Sequence, residues 1–458
     1  MNSENVKKFG FWSIVLLTIN SIIGAGIFLS PGEVVKMSGQ YAPYIYLIAA
    51  VFATVLAVTF ASAAKYVSKG GAAYAYTKAA FGDGAGLYVG VTRYFSAAIA
   101  WGVMATGVVK SVLRIFNLDS GSFTNITLGF VVLMIVLVII NLLGTKFIEF
   151  VSNISTIGKL LVLVTVIIAG VLIVVFTQTN NYSHINDVTK DVVSKMDFSA
   201  YVVAIIAAFY AFTGFESVAS GSDDMENPEK NLPIAIPLGM GIIAFIYIGI
   251  VLVTMMINPV ELVKSKEVVA LLSVFDNAII KNIILYGSLV SMFGINVAAS
   301  FHTPRVLESM SKQGQVPAIF AKRTKSGFPI YATIITAIIA ILLPIAFEYN
   351  MGSIMIISAI ARFAQFVLVP IAIIMFFYGK NKQEIIKTAK KNFATDVIIP
   401  LISLVLTLIL LVKFDWVGKF TLTSEAGLKT PNYLAIASMI IGFVILPIRT
   451  ALYNRNKK

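Results

Sequence analysis

The residues able to do chemistry in this chain are few, and most of them sit where charge is costly. Lys159, Glu216, Arg93 and Arg362 each interrupt a long apolar stretch, and Gln365 follows Arg362 by one helical turn. Ionisable side chains inside apolar segments are expensive and by default carry function. Cysteine is absent and only His184 and His302 occur. Disulfide frameworks, thiolate catalysis and Cys-ligated zinc are therefore excluded, and little remains for histidine-based metal sites or a Ser/His/Asp arrangement. Asp223, Asp224 and Glu226 resemble a metal-ligating cluster, but they precede the turn signal Asn227-Pro228 at a helix end. They read as a solvated face or a gate contact. Neither a cofactor nor a metal is implied, and no G-x-x-x-x-G-K-S/T loop for ATP occurs.

Two further clusters consist of residues that break helices. One reads Asn20-Ser21-Ile22-Ile23-Gly24-Ala25-Gly26-Ile27-Phe28, with Pro31-Gly32 beyond it. The other reads Phe209-Tyr210-Ala211-Phe212-Thr213-Gly214-Phe215-Glu216-Ser217. Glycine costs a helix interior about 1 kcal/mol relative to alanine. Non-helical backbone at membrane depth persists only where it is buried in protein or lines a cavity. Gly26 and Gly214 lie 188 residues apart, and interrupted segments at corresponding places in two halves point to a transporter binding site. Close helix packing through small residues is the alternative for either cluster taken alone.

The elements that hold these residues must be membrane helices. Of 458 residues 58% are hydrophobic and 12% charged, with a mean hydropathy of +0.89, whereas soluble domains carry about 25% charged residues. The net charge of +13 fits basic residues flanking apolar spans. It does not indicate nucleic acid, because no basic run is interleaved with aromatics. A span needs about 20 apolar residues. Twelve such spans are predicted, over 11–35, 42–66, 86–113, 125–143, 153–177, 199–222, 235–257, 282–306, 328–347, 352–378, 395–413 and 432–452. Lys7, Lys8 and Gly24-Ala25-Gly26 give the first span the look of a signal peptide, but eleven further spans and the break itself favour a structural role. Twelve spans put both termini on one side. That side holds 21 of the 35 basic residues, so both termini are expected in the cytoplasm. The basic stretch Lys380 to Lys391 is expected to lie near anionic headgroups.

Four stretches together make the sequence resemble the amino acid–polyamine–organocation superfamily of permeases. They are Ile23-Gly24-Ala25-Gly26-Ile27-Phe28; Gly70-Gly71 with Tyr74 and Tyr76; Gly214-Phe215-Glu216 followed by Glu226-Asn227-Pro228-Glu229-Lys230-Asn231-Leu232-Pro233; and Arg305-Val306 through Gly314-Gln315-Val316-Pro317. The resemblance covers nearly the whole chain. It implies an all-α membrane protein with the LeuT-type five-plus-five inverted-repeat fold: repeats over 11–177 and 199–378, two more spans over 395–452, and broken helices 1 and 6.

The resemblance also implies roles for named residues. The N–H groups of Gly24, Ala25 and Gly26 would take the carboxylate of an amino acid, which suits the start of a half-helix. The carbonyls of Ile22, Ile23, Ala211, Phe212 and Tyr210 would take its ammonium, with Thr213 and Gly214 completing the second break. Tyr210 stands where the family often places an aromatic gate, with ordinary aromatic packing as the alternative. Lys159 stands where related permeases that do not need sodium replace the ion by a lysine, with snorkelling toward the interface as the alternative. Glu216 stands where related antiporters carry a glutamate linked to proton-dependent gating, with capping of the half-helix as the alternative. Arg362 and Gln365 would pair with Glu216 or a carbonyl, or meet an acidic substrate side chain. Arg93 reads as an anchor near a helix end.

These readings make the chain a sodium-independent secondary transporter of amino acids in the plasma membrane, coupled to protons or to exchange, and not an enzyme. Its partners are a small amino acid, protons and the lipid bilayer, with no nucleic acid. A membrane-embedded enzyme would need clustered His, Asp or Cys in its spans, and a channel would need a continuous polar pore. Ala25, Ala211 and Thr213 favour a small neutral side chain. The basic excess of Arg93, Lys159 and Arg362 over Glu216 keeps an acidic or amine-related substrate open.

Overall fold

Polarity runs inside out along the helices. In the helix over 145–177, Ser152, Ser155, Thr156 and Lys159 are buried, while Leu161, Ile168, Leu172 and Val175 face outward. A globule in water would reverse this pattern; a helix bundle in hydrocarbon requires it, because only apolar groups can face lipid. The computed structural model describes residues 8–24, 26–193, 196–264, 270–346, 351–414, 416–423 and 429–457.

The chain runs α1 (Phe11–Ile22), α2 (Gly26–Ser38), α3 (Ala42–Tyr66), α4 (Ala73–Phe81), α5 (Asp83–Ile115), α6 (Phe123–Leu142), α7 (Thr145–Thr177), α8 (Ile185–Val193) and α9 (Phe198–Tyr210). It continues through α10 (Phe215–Val218), α11 (Pro228–Ile257), α12 (Pro259–Lys264), α13 (Ala278–Lys312), α14 (Ile330–Ala346), α15 (Met351–Phe377) and α16 (Ile399–Lys413). After α17 (Trp416–Lys419), a two-stranded antiparallel ribbon pairs β1 (Thr421–Thr423) with β2 (Lys429–Pro431), and α18 (Tyr433–Ile440) and α19 (Leu446–Lys457) follow. Local chemistry sets the ends. The side chains of Asp197 and Asn277 accept backbone N–H bonds at the starts of α9 and α13. Pro228 opens α11 behind a left-handed Asn227.

Among the described residues eight helices are long and apolar enough to cross a membrane. The pair Ala200–Tyr210 and Phe215–Asp224, bent by 41° at its break, brings the number to nine. Phe11–Ile22, Ile330–Ile345 and Arg362–Phe377 are apolar but shorter. Several helices start earlier than the apolar pattern predicts: α7 begins at Thr145 and α5 at Asp83. In the core α3 packs on α11, while α5 and α7 pack on α13, and α1 lies against α7, α11 and α13.

The two breaks meet. Between α1 and α2, Ile23 is extended with ψ 102°. Between α9 and α10, residues 211–214 make tight turns, and Gly214 takes φ +127°, a region that strains any other residue. A Cβ on Gly214 would lie 2.0 Å from the Ser21 carbonyl oxygen, and one on Gly26 would lie 3.2 Å from the Ala211 Cα. The space expected for a substrate main chain beside Gly214 is therefore filled by the backbone of α1. Gly214→Val should lower thermal stability in detergent whether or not a substrate is present. Gly241→Ala, where a Cβ meets nothing within 4 Å, should change it by less than about 1 kcal/mol. Equal melting temperatures for the Gly214 variant and wild type would contradict the contact.

Candidate functional site

The first break is braced by a lysine. The Ile23 N–H still donates to Ile19, but the Ile23 carbonyl leaves the helix ladder. Lys159 Nζ donates to it at 2.6 Å and lies 3.4 Å from the carbonyl oxygens of Asn20 and Ser291. Ser291 Oγ adds bonds to the Ile23 and Gly24 carbonyls at 3.3 and 3.2 Å. Lys159 is fully buried. It stands about 21 Å along α7 from Thr145 at the usual rise per residue, so its ammonium does not snorkel to an interface. The Ile23 carbonyl, read from sequence as a partner for a substrate ammonium, is already taken by Lys159. The N–H groups of Gly24 and Gly26 find no backbone acceptor among the described residues. Ala25, expected to share the carboxylate with them, lies outside the described residues. Ile22 is buried at the end of α1, where its Cα would lie 3.3 Å from a Cβ on Gly214.

Residues to which the sequence reading assigned no role hold this brace. Asn20 Nδ2 donates to Ser152 Oγ and to the Gly294 carbonyl, both at 3.0 Å, and Thr156 Oγ1, which donates to the Ser152 carbonyl at 2.7 Å, also lies 3.1 Å from the Leu16 carbonyl. A Cβ on Gly294 would fall 1.9 Å from Ser155 Oγ, so glycine there lets α13 reach α7 and α1. The signal was present as Gly287, Ser291 and Gly294 at helical spacing, the small-residue pattern of membrane helix contacts.

The second break uses its own carbonyls differently from expectation. The Tyr210 carbonyl accepts from the Thr213 N–H at 3.3 Å and from Thr213 Oγ1 at 2.8 Å, so it is not free for a ligand. The Ala211 and Phe212 carbonyls have no backbone donor among the described residues. Ala211 packs against Gly26 and is buried, as is Phe212 between Tyr46 and Tyr247. Neither lines open space for a side chain. Tyr210 is 39% exposed and lies under the Arg362 guanidinium at 5.5 Å.

Glu216 does two things at once. Its Oε2 accepts from the Gly214 N–H at 2.8 Å, a cap on α10. Its Oε1 lies 3.1 Å from Arg362 Nε and 3.6 Å from Arg93 Nη2, ion pairs without hydrogen-bond alignment at that oxygen. Arg362 Nη1 donates to Thr213 Oγ1 at 3.0 Å, and Arg93 donates to Ser217 Oγ. Arg93 is thus no interfacial anchor: α5 starts early enough to carry it inward, and it is buried. Gln365 is buried, and neither amide atom has a hydrogen-bond partner among the described residues. His302 Nε2 lies 2.9 Å from Ser21 Oγ, whose hydroxyl already donates to the Leu17 carbonyl. That makes Nε2 the donor and fixes the tautomer.

At one end of the bundle the acidic residues meet cations. Asp224 is buried and pairs with Arg305 Nε at 2.6 Å and with Arg323 Nη1 at 2.6 Å. Glu308 pairs with Arg323 and with Lys312 Nζ at 3.1 Å, and Asp223 pairs with Lys312 at 2.7 Å. Burial opposes the Arg323 charge, but hydrogen bonds to Glu308 and the charge of Asp224 hold its pKa above the usual arginine range. The Gly70 N–H donates to Asp223, and Ser309 Oγ to the Gly70 carbonyl at 2.5 Å. The Phe9 N–H donates to the Asp224 carbonyl, and the Glu226 N–H to that of Phe9. Three of the sequence stretches singled out above converge here, and Asp224 is not a solvated face. Stretch 380–391 folds back over the bundle, with Lys382 and Gln383 donating to the Ala79 carbonyl.

Removing one partner of a buried ion pair leaves an uncompensated charge, at about 3–5 kcal/mol. Asp224→Asn, which leaves the buried Arg305 without a carboxylate partner among the described residues, should therefore lower unfolding stability by that order, whereas Lys312→Gln, at a 38% exposed side chain, should lose no more than about 1 kcal/mol. Thermal unfolding of the two purified variants reads the difference, and equal losses would contradict the network.

Comparison with known proteins gives the family of the chain. The amino acid permease family matches residues 9–446. An uncharacterized transporter of Mycobacterium tuberculosis is 38% identical over 457 residues, covering 96% of this chain and 94% of its own. The serine/threonine exchanger SteT of Bacillus subtilis is 28% identical over 335 residues, 71% of this chain and 73% of that one. The branched-chain amino acid permease BcaP of Bacillus subtilis is 25% identical over 433 residues, 90% and 89% of the two chains. With its apolar helices, paired breaks and near full-length match, the chain belongs to the amino acid permease family and is a multi-pass membrane protein.

Proposed function

We propose that this permease is a secondary transporter of amino acids in the plasma membrane, working by alternating access around the paired helix breaks. In this reading α1 with α2, and α9 with α10, each count as one span. Twelve spans then form two inverted repeats, 11–177 and 199–378, followed by 395–452, with both termini in the cytoplasm. The substrate carboxylate meets the N–H groups of Gly24, Ala25 and Gly26, and its ammonium meets the Ala211 and Phe212 carbonyls. Opening and closing at the Asp224–Arg305–Arg323 end would gate one side. Proton symport and exchange both fit, and a pH gradient or internal substrate separates them in one assay.

The observation that carries this reading is Lys159, buried among the Ile23, Asn20 and Ser291 carbonyls. A sodium ion would serve the same purpose there, joining the first break to α13. An ammonium with three donors makes the ion unnecessary. Uptake of a panel of amino acids into proteoliposomes should be saturable and unchanged when potassium replaces sodium. Lys159→Ala should reduce it by about tenfold or more, because the carbonyls at membrane depth lose their donor. Lys159→Arg should rescue poorly, since a planar fork does not fit a site built for a compact ammonium. Sodium-dependent uptake by wild type, or normal uptake by the Ala variant, would refute this reading.

A further inference from the structure

Charge is balanced at one end of the bundle and unbalanced at its centre. In the end network Asp223, Asp224 and Glu308 meet Arg305, Lys312 and Arg323. Lys65 is likewise matched by Asp396 at 2.5 Å. Around the second break, Arg93 and Arg362 share one carboxylate among the described residues, that of Glu216. Both guanidinium groups keep their charge under all ordinary conditions, so this centre is short of one negative charge even with Lys159 left out of the count.

The shortage is also visible in hydrogen bonding. Arg93 is 6% exposed and its Nη1 has no hydrogen-bond partner among the described residues. Arg362 Nε, close to Glu216, is not aligned for a hydrogen bond either. One turn along α15 from Arg362, and so on the same face, the buried Gln365 amide has its donor and its acceptor free among the described residues. Buried donors in native structures are nearly all paired, so a cluster of unpaired ones around an excess cation marks where a ligand supplies acceptors. Arg362 is the member open to an incoming group. It is partly exposed and lies over Tyr210, which is exposed at the break. An α-amino acid with a neutral side chain is a zwitterion and cancels nothing. A second carboxylate cancels the excess and gives the planar forks acceptors they match in geometry.

We propose that the centre selects amino acids with a carboxylate side chain, which Arg362 receives at the second break while Arg93 and Gln365 complete the donor set. The inference rests on the permease reading above and names its substrate class. Of the residues that favoured a small neutral side chain in the sequence, Ala211 is packed against Gly26 and Thr213 Oγ1 is engaged by Tyr210 and Arg362.

The test is uptake by the purified full-length protein in proteoliposomes, with L-aspartate and L-glutamate against L-serine and L-leucine. Wild type should prefer the acidic pair by about tenfold or more in apparent affinity. Arg362→Gln should collapse the acidic-to-neutral ratio, and Arg362→Lys should keep part of it, because the charge stays while the fork is lost. Serine or leucine taken up as well as the acidic pair by wild type would overturn the substrate class and leave the permease reading standing. So would a ratio unchanged in Arg362→Gln despite lower uptake of every substrate. Saturable uptake of no α-amino acid would refute the permease reading, and this inference with it.

Discussion

Everything at the centre of this protein follows from one constraint: backbone groups released from a helix inside a bilayer must find partners within the protein. The chain releases them twice and solves the problem by bringing the two breaks together. Gly214 approaches the Ser21 carbonyl as only glycine can, and Gly26 approaches Ala211. The Ile23 and Gly24 carbonyls are then claimed by Lys159 and Ser291, and the Gly214 N–H by Glu216. Among the described residues, the N–H groups of Gly24 and Gly26 and the carbonyls of Ala211 and Phe212 remain without a backbone partner. On the function proposed above, the substrate meets the groups left over once this structural requirement is satisfied.

Charge is distributed by the same logic. The end network matches acids and bases one for one and ties the chain near Phe9, the Gly70 turn, the segment after α10 and the end of α13 into one unit. Its pairs stabilise through mutual satisfaction, since a buried ion pair contributes mainly by leaving no partner exposed to loss. The centre is different in kind. Lys159 braces the first break, whereas Arg93 and Arg362 share the carboxylate of Glu216. The end network is complete in itself, while two guanidinium groups at the centre face one carboxylate among the described residues.

The sequence by itself determined the class of protein and the location of its breaks. Composition required membrane helices. The Gly24–Gly26 and Gly214 clusters marked the interruptions because glycine weakens a helix and bares backbone that hydrocarbon cannot satisfy. Lys159 and Glu216 stood out because a charge at that depth is expensive enough to be legible from one residue. Only the tertiary structure decided what each group touches. Apolar windows do not fix helix starts, so α7 and α5 begin earlier than expected and carry Lys159 and Arg93 deeper than a span count suggests. Asn20 and His302 were not legible as supports because polar residues are common in membrane helices and their partners lie on other helices far along the chain, whereas Ser291 and Gly294 showed only as a small-residue pattern without a partner. The carbonyls of Ile23 and Tyr210 were open in the sequence and engaged in the fold. A sequence states which groups are released from regular structure; which of them stay free depends on what the neighbouring helices bring within about 3 Å, and that is a property of packing.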